Sequence, residues 1–354
     1  MHNTLFFLSD IYSDGCIPLD SSIDIEKLFG QIVSNRIVNT SLKNIEPSHF
    51  SSEVIKAITI IAESNREKCR VFIDNLTYLS RILSAAEVEY ALLKGAYLTP
   101  FLYSFGERTS NDIDILTNRE NLSKIQQLLQ DEGFIQGMLV SSKHVRPATR
   151  KEIIESRMNN GETIPFLKEI DGNWLEVDIN LSLDFKPTGN RQIVTDMLSS
   201  SICVSKDALQ FNTLNHCDFL IHLCCHLYKE ATTYDWVIRR RDLMLYKFSD
   251  INVFTHKHGN EKYFNIIAER IKLFGLEREC YYTFENASII YPSINKIEGF
   301  IKLKEEITPN NLAFMTQIVW PREKRLFQHS MKFVDWFFCD NRIAMLEEIP
   351  YEAD

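Results

Sequence analysis

Two aspartates alternate with isoleucines in residues 111–116 (NDIDIL), and this pattern constrains the fold more than any other feature of the chain. Such alternation is typical of a half-buried β-strand, whose successive side chains point to opposite faces. Asp112 and Asp114 are therefore expected on one face, with Ile113 and Ile115 buried on the other. Two neighbouring carboxylates raise each other's pKa unless a cation lies between them. Because Mg²⁺ prefers oxygen ligands and leaves other positions to water and phosphate, the pattern predicts a divalent metal site.

A second alternating segment, residues 174–181 (WLEVDINL), places Glu176 and Asp178 on one face of another predicted strand. Either acid could supply a third carboxylate, so that two metal ions about 3.5–4 Å apart would serve phosphoryl chemistry. Taken alone, each acidic pair is also typical of an edge strand with solvated carboxylates.

The order of the predicted elements favours an α+β fold. Residues 88–93 and both acidic segments are predicted strands, and residues 120–132 form an amphipathic helix that Gly133 closes. We predict a helical region over residues 1–84, a core over residues 85–186 and a helical domain over residues 187–354. In the last of these, residues 236–248, 263–273 and 312–319 are expected to be helical, and residues 327–338 have helical spacing.

A turn with the sequence Leu93-Lys94-Gly95-Ala96 lies between a predicted strand and a predicted helix. Glycine allows the backbone to approach a phosphate, and the start of a helix offers N–H groups to it. Arg108, which precedes the first acidic strand, could make forked contacts to a triphosphate. These residues predict a phosphate-binding site next to the acidic pair.

In this order, the motifs LKGA, GERTSNDIDIL and EVDINL resemble the nucleotidyltransferases of the DNA polymerase β-like superfamily, and specifically the family of uncharacterised nucleotidyltransferases (NTP transferase family 5). The resemblance covers residues 90–181. It implies a polymerase β-like core, a mixed sheet with helices, flanked by helical regions. It also implies Mg²⁺ (or Mn²⁺) as cofactor and a nucleoside triphosphate as substrate.

The resemblance also assigns roles to individual residues. Asp112, Asp114 and Asp178 would be catalytic; these three, with Glu176 as the alternative third ligand, would hold the metal. The residues expected to bind the nucleotide are Lys94, Gly95, Ala96, Arg108 and Ser110. The implied reaction transfers a nucleoside monophosphate to a hydroxyl, phosphate or amine of a small molecule or peptide and releases pyrophosphate.

Two other functions stay open at the level of the sequence. One is a toxin-like transferase that acts on tRNA or on a protein, for which residues 143–151 and Arg239-Arg240-Arg241 supply basic groups. The other is a degenerate module that binds a nucleotide without transferring it. This second alternative rests on Ala96, where the superfamily prefers serine, and on Asn180, where relatives often have histidine.

Composition excludes several classes of protein. The net charge of −9 argues against broad nucleic-acid binding, which needs a basic surface. No uncharged apolar run reaches 18 residues, so we expect no contact with a membrane. We read no signal peptide at the start and expect the eight cysteines to be reduced, which together favour the cytoplasm.

Overall fold

The computed structural model of the protein describes residues 1–13, 23–141, 144–159, 161–183 and 191–351. Helices and a mixed sheet are both present, which confirms the predicted α+β class. The chain divides into two compact units: Met1–Val33 with Ile37–Phe219, and Ser34–Arg36 with Leu220–Asp354. The predicted boundaries after residues 84 and 186 stay predictions, and the second lies outside the described residues.

The first unit is organised around an eight-stranded sheet. Its strands are β1 (Ala91–Leu92), β2 (Asp112–Leu116), β3 (Ile135–Ser141), β4 (His144–Pro147), β5 (Phe166–Ile170), β6 (Asn173–Asn180), β7 (Ile202–Lys206) and β8 (Leu209–Thr213). Their spatial order is β4-β3-β5-β6-β2-β1-β8-β7. The pairs β2–β6 and β1–β8 are parallel and the other pairs are antiparallel, so the sheet is mixed.

The two acidic strands are central and adjacent. Ile113 and Ile115 of β2, with Val177 and Ile179 of β6, belong to the hydrophobic core and are at most 1% exposed. These isoleucines and valines are β-branched and fit the buried face of a pleated sheet. Their burial fixes the register, since a shift of one residue would turn the acids into the core.

The helices of the first unit begin and end at clear sequence signals. They are α1 (His2–Ser9), α2 (Ile25–Ser34), α3 (Val38–Ser41), α4 (Ser52–Ser84), α5 (Gly95–Phe101), α6 (Arg119–Asp131), α7 (Arg150–Asn159) and α8 (Arg191–Ser199); α9 (His216–Ala231) starts here and continues into the second unit. Asn118 caps α6 by accepting a hydrogen bond from the backbone N–H of Asn121. Gly133, at φ +83°, follows the end of α6 as predicted. Leu76, Leu79 and Leu83 of the long helix α4 are fully buried in the core that contains β2 and β6.

The second unit contains α10 (Tyr234–Ile238), α11 (Leu245–His258), α12 (Glu261–Phe274), α13 (Glu277–Ile290), α14 (Phe300–Glu306) and α15 (Phe333–Phe338). A small antiparallel sheet, ordered β11-β10-β9, is formed by β9 (Gln317–Trp320), β10 (Arg325–Gln328) and β11 (Glu347–Ile349). The helix predicted for residues 263–273 is confirmed by α12. Three other predictions are correct only in part: residues 236–248 are split between α10 and α11, residues 312–319 end in β9, and residues 327–338 begin in β10 and end in α15.

Two further features bear on the class of the protein. Among the described residues, no helix combines the length and apolar character needed to cross a membrane. The seven cysteines in the described part of the chain are all free thiols, and Cys16 lies outside it.

Candidate active site

Four carboxylates line one face of the β2–β6 pair. Asp112 is paired in register with Glu176, and Asp114 with Asp178. Since the strands are parallel and in register, these four side chains point to the same side of the sheet. The structure therefore brings together every acid that the sequence predicts for the metal site.

Two more polar residues belong to this face. Asn180, which is buried, donates a hydrogen bond from Nδ2 to Oδ1 of Asp114 at 3.3 Å. Glu162 forms an antiparallel bridge with Asn180, and its charge acts on Asp178. Sequence reasoning missed Glu162, because nothing in a single sequence shows that residues 161–163 extend the sheet beside the end of β6.

Lys94 reaches the acids from the end of β1. The backbone N–H of Leu93 donates to the carbonyl of Asp114 at 3.0 Å, which places the next residue beside the acidic face. The ammonium group of Lys94 lies 2.8 Å from Oδ1 of Asp114. Both side chains are largely buried, with 19% and 7% of their surface exposed, so this ion pair is only weakly screened by solvent.

A side chain would not fit at position 95, because the segment that leads into β2 passes close to Gly95. A Cβ atom added to Gly95 would lie 1.9 Å from the hydroxyl oxygen of Ser110 and 2.9 Å from Nη1 of Arg108. The buried guanidinium of Arg108 donates to this hydroxyl and to that of Thr99. Lys94, Gly95, Arg108 and Ser110, predicted from separate motifs, are thus neighbours.

Ala96 differs from the other predicted nucleotide-binding residues. Its side chain is fully buried in the hydrophobic core, and its backbone N–H donates to the carbonyl of Leu93 at 3.0 Å. A contact between this amide and a phosphate would require that hydrogen bond to open. Binding of the nucleotide by Ala96 stays a prediction.

Burial and mutual repulsion govern the protonation of the acids. Burial, followed by the charges of Asp114, Asp112, Glu176 and Glu162, raises the pKa of Asp178 well above its usual value. Burial and the charges of Asp112 and Asp114 also raise the pKa of Glu176.

The pKa of Asp112 is also raised, first by burial and then by Asp114, although Lys94 and Arg108 act in the opposite direction. These directions describe a buried cluster with more negative charge than its neighbouring cations neutralise.

The donor set fits a hard divalent cation. Carboxylate oxygens are the ligands that Mg²⁺ prefers, and a cation at this face would relieve the repulsion that raises the pKa values. In their present positions, no three His, Cys, Asp or Glu side chains of the described residues are arranged to hold an ion. At Asp114, the ammonium group of Lys94 contacts Oδ1, one of the two oxygens that this carboxylate can offer to such an ion.

A mixed α+β core with acids on adjacent strands and a glycine turn beside them agrees with the class of enzyme that the motifs suggest, the nucleotidyltransferases. The sequence profile described as "uncharacterised nucleotidyltransferase" matches residues 21–292, and the chain belongs to this family of enzymes. No curated protein matches the chain.

Among solved structures, the chain is similar to an antigenic nucleotidyltransferase-like protein from Paracoccidioides brasiliensis. The identity is 14% and the TM-score 0.40, over 67% of this chain and 94% of that one.

The contact between Gly95 and Ser110 can be tested by a pair of substitutions. Gly95→Ala is expected to weaken nucleotide binding about tenfold, because its methyl group must displace the Ser110 hydroxyl and shift the Arg108 segment. In Gly95→Ala/Ser110→Gly, which removes the obstructing side chain, part of the loss should be recovered. Calorimetric titration with a non-hydrolysable triphosphate measures both effects; additive losses in the double variant would contradict the predicted contact.

Proposed function

We propose that this protein is an Mg²⁺-dependent enzyme that transfers a nucleoside monophosphate from a nucleoside triphosphate to a hydroxyl, phosphate or amine acceptor and releases pyrophosphate. The observation that carries the proposal is the register of β2 and β6, which aligns Asp112 with Glu176 and Asp114 with Asp178 beside the Lys94-Gly95 turn. Family membership supports the class of reaction. Placement of the protein in the cytoplasm stays a prediction.

Positioning and charge neutralisation account for most of the proposed catalysis. Asp112, Asp114 and Asp178 would hold Mg²⁺, which when bound supplies positive charge to the phosphates during transfer. Arg108, held by the hydroxyls of Thr99 and Ser110, is proposed to bind the triphosphate. Gly95 leaves room for the Ser110 hydroxyl and the Arg108 guanidinium to lie against the turn.

The transfer step requires one bond to form and one to break. An acceptor oxygen or nitrogen bonds to the α-phosphorus while the bond from that phosphorus to the bridging oxygen breaks, and pyrophosphate leaves with the electron pair. A hydroxyl or amine acceptor then gives its proton to Asp178, whereas a phosphate acceptor has none to give. Asp178 is assigned this role because it is in register with Asp114 among the other acids of the face.

The third carboxylate of the site is proposed to be Asp178, with Glu176 as the alternative. Asp178 is in register with Asp114, which is more buried than Asp112. The charges of Asp114, Asp112, Glu176 and Glu162 all act on Asp178. Glu176 is in register with Asp112 at the other end of the pair. Asp178 therefore lies at the centre of the acidic face.

Ser110 argues against a degenerate module. The superfamily prefers a serine where this chain has Ala96, and the loss of that hydroxyl was one reason to consider an inactive site. The hydroxyl of Ser110 lies directly over Gly95 and so supplies a hydroxyl at the same turn. Asn180, the other departure, is hydrogen-bonded to Asp114 and helps to position it.

The arrangement of basic residues favours a small molecule or a peptide over tRNA as acceptor. Arg146 makes a forked ion pair with Glu152, at 2.7 and 3.1 Å, and Lys247 is buried against Glu230 at 2.6 Å. Arg240 lies 3.6 Å from Asp340, and Lys143 is outside the described residues. The acids beside these basic groups offset part of the positive charge that binding of a polynucleotide needs.

The proposal is tested by incubating the protein with each α-³²P-labelled nucleoside triphosphate, Mg²⁺ and fractionated cell extract. We expect label to move to an acceptor of low mass while an equal amount of pyrophosphate appears. Label that precipitates with tRNA, in a reaction that falls steeply with salt, would favour the tRNA alternative. Nucleotide binding without any release of pyrophosphate would contradict transferase activity.

A further inference from the structure

Lys94 has an unusual backbone conformation for a lysine. It lies just before α5 with φ +46° and ψ −115°, a region that favours glycine because a Cβ atom is crowded there. A non-glycine residue in such a conformation costs free energy of folding and persists when its surroundings hold it. The next residue is Gly95, so the sequence places a lysine rather than a glycine at the more strained of two adjacent positions.

The contact made by the side chain of Lys94 gives a reason for a lysine at this strained position. The ammonium group lies 2.8 Å from Oδ1 of Asp114, and the amide of Asn180 donates to the same oxygen at 3.3 Å. Both donors thus contact the same oxygen of Asp114. Such a contact is what a carboxylate in a buried acidic cluster needs when no other cation is bound.

The single positive charge of Lys94 neutralises only part of the negative charge of the four acids. The charge of Lys94 counteracts the raised pKa of Asp112. The pKa of Asp178 and that of Glu176 are moved upward by burial and by the surrounding carboxylates. Four carboxylates share this face and Lys94 is paired with Asp114, so a divalent cation would neutralise more of the negative charge than the lysine does.

We propose that Lys94 is a placeholder cation: its ammonium group occupies Asp114 in the free enzyme and moves to the triphosphate when nucleotide binds, so that a divalent ion binds at Asp114 more weakly in the absence of substrate than in its presence. This inference rests on the proposed function. It predicts that nucleotide and divalent ion bind cooperatively, because each favours the conformation in which the lysine has left Asp114.

Simple electrostatics supports the exchange. A divalent ion and an ammonium group on the same carboxylate oxygen would repel each other strongly in a buried site. The phosphates offer Lys94 a new anionic partner, so the lysine can leave Asp114 without becoming a buried, unpaired charge. In the absence of nucleotide, the lysine has to give up its ion pair before the ion can bind, and this lowers the affinity for the ion.

The test measures binding of Mn²⁺ alone, by electron paramagnetic resonance of the metal-free protein with no nucleotide present. Lys94→Gln and Lys94→Gly are expected to bind Mn²⁺ at least about tenfold more tightly than the wild type, which corresponds to about 1.4 kcal/mol. Glycine also relaxes the backbone at φ +46°, so this variant should fold even if the glutamine variant does not. Lys94→Arg, which keeps the charge, should bind Mn²⁺ as the wild type does.

The same titrations separate this inference from the proposed function. Asp178→Asn is expected to lose Mn²⁺ binding in both the wild-type and the Lys94→Gly background. If Asp178→Asn loses binding but the lysine variants bind Mn²⁺ no more tightly than the wild type, the placeholder role is wrong and the metal site stands. If Asp178→Asn binds Mn²⁺ normally, the metal site itself is wrong, and the role of Lys94 fails with it.

Discussion

Asp178→Asn is expected to lower the rate of nucleotidyl transfer at least about a thousandfold, whereas Glu176→Gln should lower it by about tenfold or less. We expect this difference because the two acids occupy different positions on the face. Asp178 is paired with Asp114, and the charges of the other acids act on it. Glu176 is paired with Asp112 at one end of the face. Both substitutions remove one negative charge and preserve shape. They therefore form a matched pair that distinguishes the third carboxylate from its neighbour.

The measurement is the rate of pyrophosphate release with saturating nucleotide and acceptor, and Asp112→Asn and Asp114→Asn serve as references. All three aspartate variants should be inactive and folded, as judged by circular dichroism. A Glu176→Gln variant that loses as much activity as Asp178→Asn would assign both acids to the reaction. Near-normal transfer by either Asp112→Asn or Asp114→Asn would eliminate the site.

The acidic face is the part of the structure that the sequence predicts best. Alternation over residues 111–116 and 174–181 identifies both strands to within a residue or two and assigns the acids to the face opposite the buried isoleucines and valine. This works because the period of a strand is fixed by its backbone, and a buried face of isoleucine and valine permits one register. The adjacency of β2 and β6 does not follow from periodicity; it came from the resemblance to a family.

Contacts between distant segments are what the sequence could not show. The Ser110 hydroxyl over Gly95 depends on how the segment before β2 passes the turn, and the bond from Asn180 to Asp114 depends on the pairing of β2 with β6. Glu162 joins the acidic face through an isolated bridge to Asn180, 18 positions along the chain, and has no local pattern of its own. Such contacts are tertiary, so a single sequence carries no periodic signal for them.

The incorrect parts of the helix predictions in the second unit also arise from contacts between segments that are distant in the sequence. Residues 312–319 have apolar spacing that suits a helix, yet Gln317–Trp320 form a strand because Arg325–Gln328 pair with them. Short apolar runs fit either structure, and the partner strand decides between them. In residues 236–248, Asp242 is buried and bonded to Arg342, and Arg240 has φ +53°, so the backbone leaves the helical conformation between α10 and α11.

Asp178→Asn should also make the metal-free protein more stable, even though it destroys activity. Burial and repulsion raise the pKa of Asp178, which means that its charged form is less stable in the folded protein than in the unfolded chain. Each pKa unit of such a shift corresponds to about 1.4 kcal/mol at a pH where the acid is ionised. Asparagine removes that cost, and we expect the free energy of unfolding of the metal-free protein to increase.

Asp114→Asn provides the matched comparison. It removes a charge from the same face, but it also leaves Lys94 without the carboxylate that holds it, so its stability should not rise. Thermal unfolding in EDTA is expected to place Asp178→Asn a few degrees above the wild type and Asp114→Asn at or below it. With Mg²⁺ and nucleotide present, the wild type should gain stability and both variants should not, because ligand binding stabilises only a protein that can bind. A metal-free Asp178→Asn variant that melts below the wild type would show that the acidic face is not under electrostatic strain.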